Sequence, residues 1–229
     1  MKKILFCTVL CILMWNQGYS ADRTTKQYNF KDFKKVEISN GIQFNISQAS
    51  SYSIVINADT QDFEYLKVEK ERSTLRIYID KNNYRKAGDI DIKIQMPELT
   101  GLDLSGGSNG EFTMNIKDNF SCEFSGGAQV NGNLSCQNAN MEISGGSIVS
   151  LKGTGSDLTV DGSGGSVCHL KEFNVKNVNV DLSGGSQLEI KMNGTLNADA
   201  SGGSKVIYYG TANMGSTDFS GGSGISQGK

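Results

Sequence analysis

The segment VDLSGGSQLEI, residues 180–190, has at its centre a Ser-Gly-Gly motif that occurs seven times in the chain. The motif begins at Ser105, Ser125, Ser144, Ser163, Ser183, Ser201 and Ser220, so consecutive motifs are 18 to 20 residues apart. A nearly constant period of this size is typical of a solenoid, in which every repeat forms one coil that stacks on the next. The motif therefore predicts a repeat fold with about 19 residues per coil.

Apolar and polar residues alternate on both sides of the motif. The residues one and three positions before each motif serine are mostly apolar, as are those five and seven positions after it, while their neighbours are mostly polar. This period of two predicts a short, half-buried strand on each side of a Ser-Gly-Gly-Ser corner. Glycine suits the corner because a sharp change of direction requires positive φ. A second turn, clearest at Asn193-Gly194, is expected to lead into the next coil.

Two strands per coil and a corner at constant phase predict an all-β fold, a single-stranded parallel β-helix flattened into two sheets. Each strand then pairs in parallel with its equivalent in the next coil, about 4.8 Å away along the axis. A hairpin meander or a sandwich is the alternative, but neither keeps one corner sequence at one phase for seven coils. Stacking also aligns the corner serines, whose hydroxyls are expected to hydrogen-bond along the column. These serines are therefore expected to be structural and not nucleophiles.

The chain divides into three segments. Residues 1–20 begin with lysines, continue with an apolar run and end in small and polar residues, which predicts a signal peptide cleaved after Ser20. Residues 21–97 alternate like strands but lack the Ser-Gly-Gly corner, so they form either irregular N-terminal coils of the β-helix or a small separate β domain. Residues 98–229 form the regular repeats. No later apolar stretch is long enough to span a bilayer, so no transmembrane segment is expected in the mature chain.

Charge and cysteine content exclude some kinds of partner and some kinds of site. The formal net charge is −2, with 22 basic and 24 acidic residues, and no basic run stands out, so nucleic acid is not an expected partner. The mature chain has Cys122, Cys136 and Cys168, an odd number that excludes a fully paired disulfide framework, in a spacing without metal-site form. They are expected to be buried thiols. His169 follows Cys168 on the opposite face of a strand and is expected at the surface.

A second stretch, ISNGIQFNISQ at residues 38–48, connects the chain with a known family. Together with the signal peptide and the Ser-Gly-Gly-Ser corners, it resembles the exported bacterial family of the auto-transporter adhesin head GIN domain, although the Gly-Ile-Asn-type signature here is Gly41-Ile42-Gln43. The resemblance covers nearly all of the mature chain. It implies a pectin-lyase-like β-helix, secretion to the periplasm, the cell surface or the medium, and a role in adhesion.

The residue two positions before each motif serine is acidic in all seven repeats. These candidate site residues are Asp103, Glu123, Glu142, Asp161, Asp181, Asp199 and Asp218. Stacking places them in one exposed column, where Ca²⁺ or a basic partner surface is the candidate ligand and local hydrogen bonds are the structural alternative. A catalytic pair needs two carboxylates whose environments separate their pKa values, whereas equivalent residues indicate a property of the repeat. We therefore expect no catalytic residue, no enzyme activity and no required cofactor.

These patterns favour a non-catalytic exported protein that binds an unknown protein or glycan partner, and they allow homo-oligomers. A polysaccharide-binding or polysaccharide-active β-helix is the alternative, by analogy with the fold. A groove of aromatic and acidic residues that interrupts the repeat would favour the alternative, and the sequence of the seven coils shows none.

Overall fold

The computed structural model describes residues 22–80 and 89–229, so the predicted signal peptide, residues 1–20, lies outside the described part of the chain. In chain order the N-terminal elements are β1 (Arg23–Tyr28), β2 (Lys35–Ile38), β3 (Gln43–Gln48), β4 (Ser53–Asp59), the 3₁₀ helix η1 (Thr60–Glu64), β5 (Leu66–Glu71), β6 (Thr74–Ile79) and β7 (Asp91–Met96). The remaining strands are β8 (Gly101–Leu104), β9 (Asn109–Asn115), β10 (Asn119–Phe124), β11 (Gln129–Ser135), β12 (Asn138–Ile143), β13 (Ile148–Thr154), β14 (Asp157–Gly162), β15 (Val167–Val175), β16 (Asn177–Leu182), β17 (Gln187–Met192), β18 (Thr195–Ala200), β19 (Lys205–Gly210), β20 (Asn213–Phe219) and β21 (Gly224–Gln227). Among these residues, no helix has the length and apolar character needed to cross a membrane.

The strands form two large sheets. Sheet A has 11 strands in the order β1-β4-β7-β3-β9-β11-β13-β15-β17-β19-β21, and sheet B has 10 in the order β20-β18-β16-β14-β12-β10-β8-β2-β6-β5. From β8 onwards, each coil has one strand in sheet B, a corner and one strand in sheet A. Every such strand pairs in parallel with its equivalent in the next coil. The predicted parallel β-helix of two flattened sheets is confirmed.

The Ser-Gly-Gly corners share one backbone geometry. In the corner at residues 183–186, Gly184 and Gly185 have φ of +68° and +95°, and the Ser186 N–H donates to the Ser183 carbonyl at 3.3 Å. Two consecutive positive φ values are the pattern of a type I′ turn, which favours glycine at both central positions. Both glycines have positive φ in all seven corners. The repeat therefore conserves a turn geometry as well as a sequence from coil to coil.

An eighth corner precedes the seven and joins β2 to β3 at residues 39–42. Its central residues, Asn40 and Gly41, have φ of +71° and +75°, and Asn-Gly is a preferred sequence for a type I′ turn. The coil formed by β2 and β3 pairs in parallel with β8 and β9. The Gly41-Ile42-Gln43 signature therefore spans the end of the first corner of the same stack and the first residue of β3.

Coil order near the N-terminus departs from chain order. β6 and β7 form a coil that pairs in parallel with β2 and β3, on the side opposite to β8 and β9. Beyond this coil, β5 pairs antiparallel with β6, β4 antiparallel with β7, and β1 antiparallel with β4. Antiparallel strands thus cover this end of both sheets.

The corner serines hydrogen-bond mainly within their own turn. Ser147 Oγ donates to the Ser144 carbonyl at 2.8 Å, and four other corners repeat this bond. Ser166 and Ser186, at 3.2 Å, are the one pair of corner hydroxyls joined between coils in the described residues. The predicted ladder of hydroxyls is therefore wrong for most of the column. In five corners, the type I′ turn brings a carbonyl of the same coil within reach of the serine hydroxyl.

Apolar side chains fill the space between the sheets. Val180 and Leu182 of β16, and Leu188 and Ile190 of β17, are at most 5% exposed, and the equivalent positions of the preceding coil are buried in the same way. Strand alternation turns the intervening residues toward solvent. Partners therefore meet the outward-facing positions of the two sheets.

Candidate functional site

The seven candidate carboxylates lie in one column on the outer face of sheet B. The strand register places side by side, in this order, Asp103, Glu123, Glu142, Asp161, Asp181, Asp199 and Asp218. Because the residues before and after each acid point into the core, the acids point outward. Asp103 is half-buried and the others are exposed.

The column continues to an eighth acid that sequence analysis missed. Glu37 of β2 is in register with Asp103 and precedes Ser39 by two positions, as each other acid precedes its own serine. Next in register, on β6, is Arg76, whose Nε donates to the Glu37 carboxylate and whose Nη1 lies 3.5 Å from Glu71 Oε2. A cation thus ends a row of eight acids, Glu37 and the seven of the repeats, which we call the carboxylate column.

Most of the charge in the carboxylate column is uncompensated. In the described ranges, Glu37 is the one member that forms a salt bridge. Neighbours about 4.8 Å apart repel by roughly 0.9 kcal/mol even at the dielectric constant of water. Burial, followed by the neighbouring acids, raises the pKa of Asp103, and the same causes raise the pKa of Asp161. The column is therefore a strip of negative charge that favours contact with cations.

Polar grooves run along both sides of the column. Between the column and the corner serines, a groove of about 420 Å³ begins at Arg76, and a second of about 300 Å³ extends to Ser183, with Glu123 lining both. On the other side, a groove of about 220 Å³ contacts Asn179 and Asn197, where Asn197 Nδ2 donates to Asn179 Oδ1 at 2.8 Å. Carboxylates and hydroxyls thus recur from coil to coil along the solenoid axis, with amides at some of the coils.

The carboxylate column is uniform along most of its length. From Glu123 to Asp218, each acid is exposed and has acidic neighbours on the adjacent strands at the same register position, whereas acid–base catalysis uses two groups in contrasting environments. In the part of the chain that the structure describes, no three His, Cys, Asp or Glu side chains converge to hold a metal ion. A uniform row suits a ligand that extends along the axis and offers cationic groups or hydrogen-bond donors.

The histidine and the cysteines lie outside the column. Cys168 is buried and His169 is exposed, with His169 Nδ1 3.3 Å from Glu189 Oε2. Cys122 is buried, Cys136 is half-buried, and all three thiols are unpaired. Burial raises the pKa of Cys136 to about 11 and that of Cys168 to about 12. Such thiols stay protonated at neutral pH and are poor nucleophiles.

The outer face of sheet A has a different character. β15 pairs with β17 through a bulge that follows Leu170, which interrupts the regular rows. Lys152 forms a salt bridge of 3.0 Å with Glu172, and Lys171 Nζ lies 4.1 Å from the ring centre of Tyr209. These charges have partners on their own face, whereas most of the carboxylate column does not.

Comparison with known proteins agrees with this geometry. Residues 32–212 match the family described as "Putative auto-transporter adhesin, head GIN domain". The chain belongs to this family. The match extends across the carboxylate column of this head GIN domain as far as Asp199.

Solved structures share the fold of this head GIN domain. A protein from Bacteroides fragilis described as a putative adhesin is 20% identical with a TM-score of 0.85, over 91% of this chain and 98% of that chain. A protein from Parabacteroides distasonis described as a putative lipid binding protein is 16% identical with a TM-score of 0.74, over 92% and 98%. A putative adhesin from Parabacteroides merdae is 16% identical with a TM-score of 0.69, again over 92% and 98%. No curated protein matches the sequence.

Proposed function

We propose that this head GIN domain is a non-catalytic exported interaction protein whose binding surface is the outer face of sheet B. The observation that carries the proposal is the carboxylate column, eight acids in register of which Glu37 alone has a cationic side-chain partner among the described residues. Repulsion along such a row disfavours the free state, so a partner that brings positive charge gains affinity from relieving it.

The geometry of the face suggests the form of the partner. Equivalent carboxylates and hydroxyls recur about every 4.8 Å along the solenoid axis, and Asn140, Asn179 and Asn197 add amides in some of the coils. An extended polypeptide or glycan that lies along this axis meets a similar set of groups at each coil. Amino groups along its length would pair with the carboxylate column, and its hydroxyls or amides would bond in the grooves.

The family description and the neighbours described as adhesins support a role in surface interaction, and the predicted signal peptide supports export. One neighbour is described as lipid binding. In this chain the described grooves contact carboxylates, hydroxyls and amides, and the space between the sheets is filled with side chains. The face therefore favours a polar partner over a lipid chain.

A binding measurement with defined polycations tests the proposal. The immobilised protein is titrated with poly-L-lysine, with a polymer of glucosamine and with neutral dextran. Binding of the two cationic polymers, weakening as salt is raised, is the expected result. A triple variant of the column, Glu142→Gln with Asp161→Asn and Asp181→Asn, should lose most of this binding.

A matched triple variant on sheet A distinguishes binding by the carboxylate column from binding by the net charge of the protein. Glu111→Gln with Glu172→Gln and Glu189→Gln removes the same number of acids from the opposite face and should bind the polycations like the parent. Equal losses in the two triple variants would show that net charge, and not the column, determines binding. No binding of either polycation to the parent would contradict the assignment of this face.

Calcium is the second ligand that the chemistry of the column allows, because carboxylate oxygens are the donors that Ca²⁺ prefers. If Ca²⁺ binds along the column, millimolar Ca²⁺ raises the Tm of the parent and leaves the Tm of the column triple variant unchanged. A Tm indifferent to Ca²⁺ and Mg²⁺ at low ionic strength would exclude a divalent ion and leave the polymeric partner.

A further inference from the structure

The C-terminal end of the solenoid has two uncovered strand edges. β20 is the outermost strand of sheet B at this end and β21 the outermost strand of sheet A. No other strand in residues 22–80 or 89–229 pairs with their outer edges. Such an edge presents a row of unpaired N–H and C=O groups, which is a template for pairing with another strand.

The apolar core is also open at this end. Met214 is in register with Leu196, but Leu196 is fully buried and Met214 is 48% exposed. Phe219 and Ile225 continue rows of side chains that are buried in the preceding coils, and both are only half-buried. The end therefore combines unpaired backbone groups with exposed apolar surface.

The two ends of the solenoid differ in charge. β20 and β21 contain a single charged residue, Asp218. The edge strands at the opposite end, β1 and β5, contain Arg23, Lys26, Lys67, Glu69, Lys70 and Glu71. Charged side chains, Lys above all, are the usual means by which proteins prevent pairing at a sheet edge. The N-terminal end is protected in this way and the C-terminal end is not.

We propose that two copies of the chain associate through their C-terminal ends, with each uncovered edge of one copy pairing antiparallel with an edge of the other. A partner that covers both edges and the core between them must offer two edges with little charge, about 10 Å apart with an apolar gap. The same end of a second copy has this arrangement. The charged N-terminal end does not, so the contact closes as a two-fold dimer and does not continue into a filament.

The area of the C-terminal end determines the expected affinity of the dimer. Seven residues of β20 span about 23 Å, and two sheets about 10 Å apart with their side chains are about 20 Å wide. The footprint is therefore about 460 Å² per copy, against about 800 Å² in a stable interface. The dimer is expected to be reversible, with a dissociation constant of about 10–500 µM.

Sedimentation velocity tests the proposal, with protein expressed with its own signal peptide and purified after export. From about 1 µM to about 1 mM, the parent should shift from monomer to dimer. Met214→Lys places a charge twice in a two-fold interface and should weaken association by about tenfold or more. Ile148→Lys is the matched control, because Ile148 is the other large exposed apolar residue of the described chain, on the outer face of sheet A; it should associate like the parent.

The Tm of both variants should match the parent, since both side chains are exposed, which separates loss of association from loss of folding. The proposal is wrong if the parent stays monomeric over the whole concentration range or if Ile148→Lys weakens association as much as Met214→Lys. An open-ended series of larger oligomers would also overturn it, because a two-fold contact stops at the dimer.

Discussion

Two single variants, Gly184→Ala and Gly185→Ala, distinguish two reasons why the corner needs glycine: its positive φ and its close approach to the adjacent corner. Both residues have positive φ, where an L-residue costs about 1–2 kcal/mol. They differ in surroundings. A Cβ at Gly184 would lie 3.1 Å from the backbone nitrogen of Gly164 in the adjacent corner, whereas a Cβ at Gly185 would meet no atom within 4 Å. Gly184→Ala therefore forces the stacked corners apart, and Gly185→Ala does not.

The magnitudes follow from these contacts. Overpacking against backbone adds about 1 kcal/mol to the φ strain, so Gly184→Ala should lose about 2–3 kcal/mol and Gly185→Ala about 1–2 kcal/mol. For a chain of this size, 1 kcal/mol corresponds to about 2–4 °C in Tm. Thermal melts by far-UV circular dichroism measure the difference, because the only tryptophan, Trp15, lies in the predicted signal peptide.

Asn179→Val is the control, because Asn179 is exposed on the strand before this corner and the change removes only the exposed hydrogen bond from Asn197, which should cost no more than about 1 kcal/mol. Gly184→Val, with a β-branched side chain, should exceed Gly184→Ala. Equal losses at Gly184 and Gly185 would refute the role of corner stacking. A loss at Gly184 as small as that of Asn179→Val would refute the assigned turn.

Three further outcomes are expected. Because burial and neighbouring acids raise the pKa of Asp103 and Asp161 above the ordinary 3.8, the folded protein binds protons more tightly than the unfolded chain. The contribution of these two acids to stability should therefore rise as the pH falls from neutral toward the ordinary value of 3.8, and Asp103→Asn should reduce that rise, as measured by urea midpoints; a flat profile would contradict the raised pKa values. Ser147→Ala removes a hydrogen bond within its turn without adding bulk, as Ala128 at the equivalent position shows, and should lower the free energy of unfolding by about 1 kcal/mol in a urea titration; no loss would mean that this bond does not contribute. Mass spectrometry of the exported protein should give a start near Ala21, and recovery of the intact N-terminus would contradict cleavage of the signal peptide.

The regular coils could be predicted because their signals are local and repeated. A corner sequence, a period of two on each side and a constant spacing determine which residues are buried, which stack and which face solvent. The register of the seven repeat acids follows from the same information, since parallel pairing places equivalent positions of consecutive coils side by side.

The corner of the first coil and its acid, Glu37, escaped prediction because the corner is Asn40-Gly41 and because Ser39 and Ser105 are 66 positions apart. The signal was present: VEISNG at residues 36–41 matches MEISGG at residues 141–146, with the acid and the serine in the same places. To recognise this corner from the sequence, Asn-Gly and Gly-Gly have to be treated as one type of turn, since both allow positive φ at the two central positions. Arg76 lies beside Glu37 because β6 pairs with β2, and no local sequence pattern predicts that pairing.

The hydrogen bonds of the corner serines could be predicted only in part. Sequence alignment of the coils predicts that the hydroxyls lie near one another, which they do, but not which acceptor each one uses. A carbonyl in the same tight turn competes with the hydroxyl of the next coil as the acceptor of the serine hydrogen bond. In most corners the serine hydroxyl donates to the carbonyl of its own turn.

The interleaved order of the N-terminal coils has a consequence for how the chain folds. The coil of β2 and β3 is covered on one side by β6 and β7 and on the other by β8 and β9, so its two neighbours come from different parts of the chain. Growth by simple addition from the N-terminus, which a linear array permits, is therefore not available to the first coils. The coil of β6 and β7 has to close onto β2 and β3 through a long connection, and β8 and β9 have to reach back to the other side of the same coil; such non-local pairing slows folding, and later coils can then add one at a time. Shortening the chain from its C-terminus should remove coils one by one, whereas deleting residues 49–96 uncovers the template on which all of them build.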